Sequence, residues 1–225
     1  PPPPPPTTHP FSSAASDVYK RQGCNNARSR HNEAHIKVVK ELIKNDVIVL
    51  TTGCNGIACA MEGLLTPESA GVYCGPGLKE VCETVGIPPV LHLGSCVDNS
   101  RILLAATEVV KAGGLGKDIA DLPAAGSAPE WMSEKAISIG HYFVASGVYT
   151  VCGGPLPTSG APVFLKDISG DLVAPFGGKW DLEADPIKHA HKMIAHIDKK
   201  RKELGIDKAR ERQLMSMEDR QALDA

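Results

Sequence analysis

Three cysteines, each set beside glycine in a polar stretch, are the residues of this chain best suited to chemistry. They lie in Gly23-Cys24-Asn25-Asn26, in Thr51-Thr52-Gly53-Cys54-Asn55-Gly56 and in Gly94-Ser95-Cys96-Val97-Asp98. Separations of 30 and 42 residues leave no local Cys-x-x-Cys clamp, which argues against a zinc finger. Thiolates drawn from the ends of separate strands and converging in one crevice suit a larger metal–sulfur cluster. Glycine there lets backbone approach inorganic sulfide, and free amides can hydrogen-bond to it. The pattern alone leaves open a second reading, in which all three are buried, inert thiols.

The other candidates carry less signal. Cys59 and Cys82 fall within helical runs, where cysteine packs as a small hydrophobe. Cys74 has a loop setting and Cys152 ends a strand. Lys135, in Met132-Ser133-Glu134-Lys135-Ala136-Ile137, is by default a solvated helix charge. Its functional reading is a proton donor beside a cluster. Asp98 and Arg101 are spaced to meet on adjacent helical turns and fix the loop above them. His92 reads as a core histidine, and His189, His191 and His196 as a solvated face of the last helix.

The elements that must position these residues alternate along the chain. A helix is predicted over residues 32–44, a strand over 47–50, and a loop through Thr51–Gly56 leading to a helix over 57–65. A helix near 77–85, a strand over 90–93, a loop at 94–96 and a helix over 99–111 repeat the unit. A short strand over 122–125, a helix opened by Ser127-Ala128-Pro129-Glu130, a strand over 148–152 and a helix from Asp185-Pro186 complete the pattern. Residues 158–180 read as less regular. Such alternation predicts an α/β fold with a mainly parallel sheet and flanking helices. In such sheets ligands sit in the crevice where strands give way to helices.

Composition narrows the class. The 225 residues are 42% hydrophobic, enough for one sizeable core. A net charge of −2 with interspersed signs points to neither nucleic acid nor a membrane surface. No apolar run approaches the roughly 18 residues of a membrane span, and no secretory signal is visible. Seven cysteines, an odd number, argue against a disulfide framework and for a reducing, cytoplasmic setting. Residues 1–22, with six leading prolines, lack hydrophobic periodicity and are expected to be extended, disordered or non-native. The piece Ser12–Gln22 resembles translated sequencing adapter, and the domain is taken as 23–225.

Four stretches in order carry a family resemblance: Gly23–Asn26, Val49–Cys54, His92–Arg101 and Ser127–Ala136. Together they resemble the C-terminal part of nickel-containing anaerobic carbon monoxide dehydrogenase, from about Gly23 to Leu204. The resemblance implies a Rossmann-like domain of the kind found in hybrid-cluster proteins. It implies that Cys24, Cys54 and Cys96 are thiolate ligands of a nickel–iron–sulfur (Ni-4Fe-4S) cluster oxidising CO with water to CO2. It further implies that Lys135 aids proton transfer and stabilises CO2, with Ile139 shaping the gas pocket. A ferredoxin-like electron acceptor and a homodimer are also implied. In that family one histidine and two more cysteines reach the cluster from earlier chain, and further [4Fe-4S] clusters lie near the N-terminus. None of these is present here, so the expectation is a truncated catalytic subunit, inactive alone. Two alternatives are a hybrid-cluster hydroxylamine reductase without nickel and a non-catalytic α/β binding module.

Overall fold

A computed structural model describes residues 33–112, 115–130, 134–154, 157–170 and 172–207. The stretch 1–22, Cys24, the Gly113-Gly114 helix stop and Trp131–Ser133 lie outside the described residues.

Helix α1 (Glu33–Lys44) forms because Val38, Val39, Leu42 and Ile43 fall on one face, and all four are buried. The turn after it closes at Asp46, whose backbone is left-handed. The Asp46 carboxylate then accepts a hydrogen bond at 2.9 Å from Leu78 N, in the first turn of a later helix. Strand β1 (Val49–Thr51), helices α2 (Gly53–Met61), α3 (Ser69–Tyr73) and α4 (Pro76–Val85), and strand β2 (Val90–His92) follow. A 3-10 turn (Cys96–Asp98) leads directly into α5 (Asn99–Ala112).

The second unit comprises β3 (Ala125–Ala128), α6 (Glu134–Ala145), β4 (Tyr149–Cys152), α7 (Pro162–Ser169), β5 (Lys179–Leu182) and α8 (Pro186–Glu203). Among the described residues every strand pairing is parallel: β1 with β2, and β3-β4-β5 with β4 in the centre. All four β4 residues are buried, as a parallel strand covered on both faces requires. The α/β class and its parallel pairing are therefore as the alternation predicts, divided between a two-stranded and a three-stranded sheet. One apolar cluster spans both units through α1, β1, β2, β4 and α8; a second joins α6, α7, Cys152 and Trp180. Among the described residues, no helix is long and apolar enough to cross a membrane.

Three local expectations need correction. Helix α2 begins at Gly53, so Cys54 stands in its first turn and not in a loop. The Ser127–Glu130 stretch does not open a helix, because Ser127 and Ala128 continue β3 and pair with Val151 and Cys152. The apparent capping signal loses to a sheet ladder that local sequence does not show. The region 158–180 holds α7 and the start of β5, where Trp180 is buried.

Candidate metal centre

Parallel pairing of β1 and β2 aligns Thr51 with His92, so both strands end side by side. The chain then turns into α2 on one side and into the Cys96–Asp98 turn on the other. Cys54 and Cys96 are thereby carried to neighbouring segments at one edge of the sheet, the crevice where α/β folds bind ligands. Backbone bonds tie the two together: Leu93 N donates to Thr51 O and Gly53 N to Gly94 O, each at 2.8 Å. The approach is so close that a Cβ on Gly53 would lie 3.1 Å from Cys96 Cβ, and Gly53 has φ +53°. Glycine meets both demands.

Side chains extend the tie. The Thr52 hydroxyl donates to Asn99 Oδ1 at 3.0 Å, and Asn99 Nδ2 donates to Cys96 O at 2.7 Å. Asp98 closes the Cys96 turn by accepting from Ser95 N and Ser95 Oγ, both at 2.8 Å, with Arg101 at 3.3 Å. The hydroxyl and amide of Ser95, aided by the Arg101 guanidinium, hold the Asp98 carboxyl below its usual range. The Asp98/Arg101 pairing is thus as its spacing predicts.

The thiols differ in setting. Cys54 is buried at the α2 N-terminus, where the helix dipole favours negative charge, and Cys96 is partly exposed. Cys59 and Cys82 are fully buried, and burial pushes the Cys59 thiol up to about 12. Burial also raises Cys74, to about 11. Cys59 and Cys82 are protonated packing residues, as their helical places in the sequence suggest, and Cys74 is a half-buried protonated thiol at the end of α3. Among the described residues, no group of three His, Cys, Asp or Glu side chains is arranged to hold a metal ion. Cys54 and Cys96, on glycine-lined segments, are soft donors of the type that metal–sulfur clusters take. Cys24 lies outside the described residues. Lys135 is exposed in the first turn of α6, which packs on β3 and β4 in the second unit. Ile139 lies one turn further on and is half-buried.

Three histidines depart from their expected roles, while His191 is exposed as expected, its Nε2 3.2 Å from Glu41 Oε1. His92 is exposed at the end of β2 and is not a core residue. Its Nδ1 accepts from Gly94 N at 3.1 Å. His189 is fully buried, not solvated: its Nδ1 lies 3.2 Å from Glu183 O and its Nε2 lies 2.7 Å from Ser127 Oγ. A carbonyl only accepts, so Nδ1 carries the proton and Nε2 receives the Ser127 hydroxyl. Burial pushes the His189 imidazole down to about 4. His196 stacks on Tyr149 at 4.5 Å and is likewise lowered to about 4 by burial. The spacing of His189, Met193 and Ile197 on one helical face was the available signal.

Comparison with known proteins brings relatives to this arrangement. A family model described as the Prismane/CO dehydrogenase family matches residues 16–187. Carbon monoxide dehydrogenase 1 of Methanosarcina mazei is 56% identical over 185 residues, covering 82% of this chain and 29% of that protein. Carbon monoxide dehydrogenase 1 of Carboxydothermus hydrogenoformans is 41% identical over 195 residues, covering 82% and 30%. The as-isolated, nickel-free structure of carbon monoxide dehydrogenase from Thermococcus sp. AM4 superposes with a TM-score of 0.76 at 50% identity, covering 88% of this chain and 32% of that one. The chain thus spans less than a third of the length of these relatives.

Proposed function

Because the chain belongs to the Prismane/CO dehydrogenase family, we propose that it is the C-terminal, cluster-binding part of an anaerobic carbon monoxide dehydrogenase. The observation that carries this reading is the junction of Cys54 and Cys96 at the ends of two paired parallel strands. Cys24, Cys54 and Cys96 would hold a nickel–iron–sulfur cluster, thiolates being the ligands such clusters take. When bound, the cluster supplies the two-electron chemistry that converts CO and water to CO2 and two protons.

The protein groups have separate tasks. The Gly53–Gly94 backbone bond and the Thr52–Asn99–Cys96 chain keep the two thiol segments together. The Ser95–Asp98 turn orients Cys96. Lys135, as a cation, would stabilise the negative charge of a carboxylate product and carry a proton. The remaining histidine and cysteine ligands, the relay clusters and the homodimer contacts belong to the rest of a longer polypeptide, and electrons leave to a ferredoxin-like acceptor. Residues 1–22 would stand outside the domain that begins at Gly23.

The test is anaerobic assay of the full-length enzyme containing this segment. CO-dependent reduction of a viologen dye, with nickel bound, is the expected result. A nickel-free protein that turns over hydroxylamine instead would reassign it to the hybrid-cluster branch.

A further inference from the structure

We propose that His92, seated against Gly56, is a positioning residue that fixes the spacing of the two cysteine-bearing segments; this rests on reading Cys54 and Cys96 as cluster ligands. His92 ends β2 and is exposed, so burial does not explain its place. Its ring nevertheless meets both segments. Nδ1 accepts the Gly94 amide at 3.1 Å, two residues before Cys96. The opposite edge lies on α2, where a Cβ at Gly56 would stand 2.0 Å from Cδ2 and 2.4 Å from Nε2. Gly56 is two residues after Cys54 on the same helix.

Gly56 strengthens the case. A glycine inside a helix costs about 1 kcal/mol relative to alanine. Gly56 is buried within α2, and the close contact on its missing side chain is the His92 ring. The helix accepts a poor helix former so that the imidazole can lie against it. Because Cys54 and Gly56 share the hydrogen-bonded turns of α2, a ring fixed at Gly56 also fixes Cys54. Gly94 completes the device: its φ of +122° excludes other residues, and a Cβ there would strike Asp98 Oδ2 at 2.6 Å. The ring therefore sets the distance between two ligand-bearing turns, much as outer partners orient ligands in metal sites.

A double-mutant cycle in the full-length enzyme tests this, with Gly56→Ala, His92→Asn and both together. Asparagine retains an acceptor for the Gly94 amide but vacates the space over α2. Three readouts are taken: nickel and iron per chain, the midpoint potential of the cluster, and amide exchange over residues 51–56 and 92–96 in metal-free protein. Gly56→Ala is expected to weaken metal retention by about tenfold, shift the potential and speed exchange in both segments. Adding His92→Asn should restore part of each. Additive losses in the double variant, or a Gly56→Ala protein indistinguishable from wild type, would overturn the proposal. If wild-type enzyme holds no nickel, the functional reading fails, while the exchange data still decide the clamp.

Discussion

The two units of this chain set their side-chain polar networks in different places. Around β1 and β2, polar contacts gather at a partly exposed sheet edge: Thr52, Asn99, Ser95, Asp98 and His92 all bond across or beside the thiol segments. Around β3, β4 and β5, the network is anchored in the core on the buried His189 and Tyr149. His189 is sealed between Ser127 and Glu183, and Tyr149 donates to Asp181 at 2.7 Å, which Lys192 holds at 2.9 Å. Satisfied polar groups in a core specify and stiffen packing. The same groups at a strand end fix the turns that carry Cys54 and Cys96. The difference separates a buried scaffold from a partly exposed edge within one short chain.

The largest test of that division sets two cysteines against each other. Cys96→Ser at the edge is expected to cut CO-dependent dye reduction of the full-length enzyme beyond the roughly 100-fold that losing an outer partner costs. Because Cys96 is partly exposed, the unfolding midpoint should scarcely move. Cys152 is fully buried at the end of β4. Cys152→Ser should instead lower stability by about 2 kcal/mol, read by urea unfolding, as a hydroxyl enters an apolar cluster. Equal activity losses in the two variants would erase the distinction.

Next in size is the scaffold's own tightest approach. A Cβ on Gly153 would lie 1.7 Å from Pro129 O, a backbone atom that cannot swing aside. Gly153→Ala should therefore destabilise the chain by about 3 kcal/mol or more. Denaturant unfolding measures this directly.

The sequence made some of these features legible and hid others for identifiable reasons. The periodicity of α1, the apolar run of β4 and the helical settings of Cys59 and Cys82 are local signals, and the structure follows them. The Asp98/Arg101 pair is equally local. Strand β3 was misplaced because Ser127 and Ala128 owe their conformation to hydrogen bonds with β4, far along the chain. A core place for His92 follows from strand alternation, which predicts a face but not where a short strand ends. The approach of the Cys54 and Cys96 segments depends on β1 pairing with β2, which neither segment encodes by itself.

Acid should weaken the scaffold before it touches the edge. His189 has a folded pKa of about 4 against 6.5 unperturbed, so the native state binds fewer protons than the unfolded chain between those values. Stability from this group is intact above 6.5 and falls as the pH drops toward 4, by on the order of 3 kcal/mol in full. His196 acts in the same direction from its half-buried stack on Tyr149. Unfolding midpoints measured from pH 7 to 4 should decline, and His189→Gln should flatten that decline. An unchanged slope in the variant would remove His189 as its source.

Asp98→Asn gives the smallest effect and the sharpest view of the edge. The Asp98 carboxyl has its pKa lowered, so whatever it contributes is present above the usual carboxylate range and lost as pH falls through the depressed value. Its exposure makes that contribution to global stability slight. Locally, asparagine keeps one oxygen to accept from Ser95 but gives up the charge that faces Arg101 and strengthens both Ser95 bonds. The expected result is an unchanged thermal midpoint with faster amide exchange at Ser95 and Cys96. If the midpoint falls by as much as in Gly153→Ala, the Cys96 turn is part of the scaffold. The two units would then differ only in where their polar groups lie.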